Sequence, residues 1–152
     1  MTLRRIAVGS DHRGVHLKSF LVRTLREWGH HVTDYGTHTA SSADYPDFAA
    51  PVAQAVSEDW FDRGIVICGS GIGASISANK IRGARCALCR SPHDAAMSRR
   101  HNDANVLALG ADVTTPDEAL RIVRAWLSSD FEGGRHARRV GKIGSIEKSG
   151  EI

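Results

Sequence analysis

No apolar run in these 152 residues approaches the roughly 20 needed to span a bilayer as a helix, so no membrane-spanning helix is expected. Cysteine is scarce: three residues, an odd number, which argues against a disulfide framework. Cys86 and Cys89 form a CxxC, but no second CxxC or nearby histidine pair completes a zinc set. Aromatics make up only 6% of the chain and do not interleave with its late basic run, GGRHARRVGK, which weakens a base-stacking role. The opening MTLRRIAVGS carries a brief apolar stretch and no signal-peptide h-region, so a cytoplasmic protein is expected. Internal repeats, low-complexity stretches and interdomain linkers are all missing, and one domain over residues 1–152 is the expectation.

What is present is an ordinary globular composition, 41% apolar and 24% charged, with a net charge of +3 that suits an anionic ligand. Short apolar runs alternate with longer amphipathic ones. RRIAVGS, HHVTDYG, RGIVICG, ARCALCR and ANVLALG read as strands. HRGVHLKSFLVRTLREWG reads as a helix, with Val15, Leu17, Leu21, Leu25 and Trp28 near one face and Gly29 as its stop. Pro46 opens a second helix; in TPDEALRIVRAWLSSD, Thr115 is the expected N-cap and Pro116 takes the first helical position. A final helical segment follows Gly133 and Gly134. Strand and helix in strict alternation predict a three-layer, Rossmann-like α/β fold, with a five-stranded parallel sheet flanked by helices. In such sheets ligands sit beyond the carboxyl ends of the strands, which here carry SDHRG, YGTHTASS, CGSGIG, CRSPHD and LGADVTT. Within ARCALCR, Cys86 and Cys89 are three apart and should face opposite sides of a buried strand.

The stretch GIVICGSGIGASISANK concentrates the chemistry. Gly69, Gly71 and Ala74 satisfy a dinucleotide fingerprint, but the motif follows the third strand and Arg90-Ser91 stands where the ribose-binding acid belongs. A hydrolase elbow fails because Ser70 lacks the G-x-S-x-G frame, with Cys68 standing where its first glycine belongs. What remains is a loop of approachable N–H groups at a helix N-terminus, suited to an anion. Cys68 stands at its lip, where such a terminus can favour a thiolate able to act as nucleophile or base. Arg135 and Arg139 are four residues apart, so on a helix they share a face and could grip one phosphate or form a solvated basic face. Asp11 reads as an N-cap and His101 as the close of its helix.

SDHRG, DYPDFA, ICGSGIGASISANK, SRRHNDANVLALG and GGRHARRV together resemble, in order and spacing, type B ribose-5-phosphate isomerases, a family that also contains galactose-6-phosphate isomerase subunits. The resemblance covers nearly the whole chain. It implies aldose–ketose isomerisation of a sugar phosphate through an enediolate, with no cofactor and no metal. Ribose 5-phosphate is the expected substrate, with a tetrose or hexose phosphate as the alternative and a non-catalytic sugar-phosphate-binding protein behind it. By the same resemblance Cys68 is the base, Ser70 with the N–H groups of Gly71, Ile72 and Gly73 holds the oxyanion, and Gly69 contacts substrate. His101 would open the sugar ring, Asn102, Asp11 and His12 would contact substrate, and Arg135 and Arg139 would bind phosphate. A related type carries a glutamate after the glycine loop; Ala74 and Ser75 stand there, so this chain resembles the cysteine type. The resemblance further implies a homodimer or tetramer, with active sites and the segment of about 133–152 at the interface. It implies no nucleic-acid or membrane partner. One departure is Asp112, where many members carry a substrate-binding arginine; the expectation is that Asp112 orients Arg135 or Arg139 or turns outward.

Overall fold

A computed structural model describes residues 1–150; the last two residues of the expected 133–152 segment lie outside the described residues. Five strands form one parallel sheet: β1 (Arg5–Ser10), β2 (His31–Asp34), β3 (Arg63–Cys68), β4 (Cys86–Leu88) and β5 (Val106–Gly110), in the order β2-β1-β3-β5-β4. The helices are α1 (Val15–Glu27), α2 (Pro46–Ser57), α3 (Ile72–Asn79), α4 (Pro92–Asn102), α5 (Pro116–Leu127) and α6 (Arg135–Ser149). A single 3-10 turn, His12–Gly14, joins β1 to α1.

Strict period-two alternation in the strands divides the core into two layers. Ile6, Val8, Ile65, Ile67, Leu107 and Leu109 pack beneath Leu17, Leu21 and Leu25 of α1 and Ile122, Val123 and Trp126 of α5. Ala7, Val66, Cys68, Val106 and Ala108 face the other way, onto Val52, Ala53 and Val56 of α2 and Ala74 and Ala78 of α3. Both faces are therefore covered, as a parallel sheet requires. The α5 N-terminus is closed by a full capping box between Thr115 and Glu118, with Pro116 opening the helix.

The expected buried strand around the CxxC is corrected. Only Cys86–Leu88 pairs, β4 is an edge strand bonded to β5 alone, and its three residues are half-buried. The two thiols do face opposite layers, Cys89 into the α1/α5 layer and Cys86 against the α2/α3 layer. Burial pushes both thiols up, that of Cys89 to about 11, which keeps them protonated and inert.

Candidate active site

From β1 the chain steps outward to β2, then crosses to β3 on the other side of β1, so the carboxyl ends of β1 and β3 form the topological switch point. Asp11 and Cys68 meet there, and the Asp11 N–H donates to the Ile67 carbonyl at 3.2 Å.

Cys68 ends β3 with its side chain in the α2/α3 layer and only 4% exposed. The loop then reverses over the end of β5. Gly71 makes the reversal possible: its φ is +80°, and a Cβ there would lie 2.8 Å from the Leu109 carbonyl carbon. The Gly71 N–H donates to Cys68 Sγ at 3.2 Å, and the Ile72 N–H donates to Ser70 Oγ at 3.2 Å. Of the N–H groups from Gly71 to Gly73, the one at Gly73 is left without a partner among the described residues. Because Ser70 Oγ accepts from Ile72, its hydroxyl proton is free to be given elsewhere. Ser70 and Gly73, with the free donors Ser70 Oγ–H and Gly73 N–H, thus line the same cleft as Cys68 at the N-terminus of α3. Its volume is about 450 Å³. The ring of Tyr45, the N-cap residue of α2, lies directly against Gly73 and walls the cleft.

Asp11 is an N-cap, as its position suggests: its carboxylate accepts from the N–H of Arg13 at 3.0 Å and of Gly14 at 3.3 Å. It also borders the cleft. His12 does not; its Nδ1 lies 3.1 Å from the Ala43 amide nitrogen and pins the loop that leads to α2. The expectation for Asp112 is corrected. Its carboxylate pairs with the guanidinium of Arg13, not with Arg135 or Arg139, and both partners border the cleft. Sequence reading passed over Arg13, although it stands two residues after Asp11 in SDHRG.

His101, Asn102, Arg135 and Arg139 lie elsewhere. α4 starts at the carboxyl edge of the sheet and returns to the amino edge, where Asp103–Asn105 lead into β5. His101 and Asn102 close that helix, so the length of β5, about 13 Å, separates them from the Cys68 end. His101 stacks on His136 of α6, with ring centroids 4.1 Å apart and planes 7° from parallel. Glu132 sits 3.8 Å from His101 Nε2 and 3.6 Å from His136 Nε2. These three groups have ligand atoms within 4.8 Å of one another. A metal bound to both lone pairs would have to lie in both ring planes, which parallel rings do not share. Burial, with His101 and Arg135 nearby, holds His136 below the usual histidine range. Arg135 and Arg139 stand exposed on the first turns of α6, beyond this pair. Asn102 borders a separate groove of about 530 Å³ between β4 and α6, lined also by Ile143 and Ile146.

The Ribose/Galactose Isomerase family profile matches residues 6–143. Ribose-5-phosphate isomerase B of Escherichia coli is 47% identical over 146 residues, covering 96% of this chain and 98% of that one. D-erythrulose-4-phosphate isomerase of Pectobacterium atrosepticum is 43% identical over 143 residues, covering 93% and 94%. The solved ribose-5-phosphate isomerase B of Clostridium thermocellum superposes with a TM-score of 0.95 at 54% identity, covering 97% of this chain and 99% of that one. With a glycine-rich loop at the switch point of a parallel sheet and a sequence matched nearly end to end by these proteins, the chain belongs to the ribose/galactose isomerase family and is an isomerase.

Proposed function

We propose that the protein interconverts ribose 5-phosphate and ribulose 5-phosphate, with Cys68 as the base and with each site completed by a second copy of the chain. The observation that carries this reading is the Cys68 sulfur at the end of β3, receiving the Gly71 N–H in a cleft that Ser70 and Gly73 also line. A thiolate there takes the proton from C2 of the open-chain aldose. The charge moves onto the aldehyde oxygen O1, where Ser70 Oγ–H and Gly73 N–H meet it, the electrostatic contribution that usually dominates such steps. The O2 hydroxyl proton passes to O1 and the thiol returns its proton to C1, giving the ketose with atoms and charge balanced. The other half of the reading supplies what this half lacks. His101 opens the sugar ring, Asn102 contacts the sugar, and Arg135 and Arg139 hold the phosphate, all from a neighbouring subunit. Topology supports this arrangement, because those four residues stand at the far side of the same chain. Exposed Ile72, Ile76 and Val113 around the cleft, and Ile143 and Ile146 on α6, offer the apolar area that an isologous dimer buries.

Similarity to the relative named for erythrulose 4-phosphate keeps a four-carbon substrate as the second reading. The test is a panel of C4, C5 and C6 aldose phosphates assayed in deuterated water, with and without a chelator. The expected result is the highest kcat/KM on ribose 5-phosphate, exchange at the transferred carbon, and no change on chelation. Preferred turnover of a C4 or C6 ester would replace the substrate, and a chelator-sensitive rate would replace the oxyanion assignment.

A further inference from the structure

We infer that Arg13, oriented by Asp112, is a phosphate-recognising residue contributed by the same chain that carries Cys68. The inference rests on the sugar-phosphate reading above and adds a residue to it. The backbone beneath Arg13 is fixed from both sides. The Asp11 carboxylate accepts its N–H at 3.0 Å, and the next residue, Gly14, fits so closely that a Cβ there would lie 2.8 Å from Ile67 Cγ2. The side chain then crosses Gly69. A Cβ at Gly69 would lie 2.9 Å from Arg13 Nε, 3.0 Å from its Cζ and 2.8 Å from Asp112 Oδ2. Gly69 has no left-handed φ to explain it, so the space its missing side chain opens is the space the ion pair occupies. That places a guanidinium on the residue that follows Cys68.

Charge decides what it does there. Among the described residues bordering the cleft, Arg13 is the one cation, facing the carboxylates of Asp11 and Asp112. Without Arg13, the charged side chains that this chain itself supplies to the cleft would all be acids, Asp11 and Asp112. The pair is also exposed, 58% and 42% for the two side chains, and exposed pairs contribute little to stability. Asp112 engages one end of the guanidinium, and no other side-chain bond of Arg13 exists among the described residues. The fork therefore keeps donors free for phosphate oxygens, the geometry at which arginine excels. Asp112 acts as a positioning residue, holding the fork over Gly69 rather than letting it extend into solvent.

The test compares the parent, Arg13→Met and Arg13→Met/Asp112→Asn by steady-state kinetics on the preferred sugar phosphate. Titration calorimetry with inorganic phosphate is run on the same proteins. Arg13→Met is expected to raise KM and weaken phosphate binding by about tenfold, the scale of one lost charge-assisted contact, with kcat changed far less and the melting temperature nearly the same. Adding Asp112→Asn is expected to recover part of the loss, because the stranded carboxylate then repels nothing. Phosphate affinity unchanged in Arg13→Met overturns the inference. So does a double variant no better than the single one accompanied by an equal loss of melting temperature, the signature of a purely structural tie. Calorimetry needs no turnover, so a parent that binds phosphate without isomerising any ester would defeat the sugar-phosphate reading while leaving Arg13 to be judged separately.

Discussion

Cys68 is one of three cysteines and differs from the others in what surrounds it. Cys86 and Cys89 lie where burial holds the proton on sulfur, whereas Cys68 Sγ receives a backbone N–H at 3.2 Å from the loop that opens α3. Cys68→Ser is expected to lower kcat by about 10²–10⁴-fold, the range of a lost general base, with phosphate binding by calorimetry unchanged. Near-parental turnover would remove Cys68 from the chemistry. The glycine pattern was legible because Gly71 answers to a backbone rule that any sequence displays. The partner of Asp112 was not legible, because it is set by the packing of the β1 turn against the end of β5. Proximity in three dimensions leaves no trace in local spacing, and the reading that tied Asp112 to Arg135 or Arg139 had only the charge of those residues to go on.

At the scale of elements, the parallel sheet followed from strand and helix alternation, and α5 from a capping box written in Thr115 and Glu118. The extent of β4 did not follow. An edge strand has one neighbour, and ARCALCR is as apolar as a central strand, so composition overstated both its length and its burial. The other edge of the sheet gives a pH prediction. His30, buried just before β2, accepts the Arg4 N–H on Nδ1 at 3.1 Å, and burial with nearby Arg4 lowers its pKa. The unfolded chain then takes up the proton first as pH falls. Stability from this group is complete above about pH 6.5, the unfolded histidine value, and declines below it toward the lower folded value. Thermal melting from pH 7 to pH 5 is expected to fall more in the parent than in His30→Asn, which keeps an acceptor but does not titrate. Equal declines would show that His30 is not a source of the acid sensitivity.

At the scale of the whole molecule, the residues proposed for the site fall into two groups, Cys68, Ser70 and Arg13 at the carboxyl edge of the sheet and His101, Asn102, Arg135 and Arg139 toward the other. The resemblance named both sets from sequence, but spacing along a chain does not say which subunit a residue serves. The course of α4 supports the proposed division between subunits, because a helix that crosses the sheet cannot bring its last turn back to the edge where it began. Subunit exchange tests this most directly. Cys68→Ser and Arg139→Ala proteins, each inactive alone, are mixed, denatured and refolded together, and assayed on ribose 5-phosphate. Random pairing puts both substitutions in one site of each mixed dimer and leaves the other site intact, so activity is expected to return to about a quarter of the parent's. Mass spectrometry confirming mixed dimers without any recovery would place Cys68 and Arg139 in the same site of one chain and contradict the account.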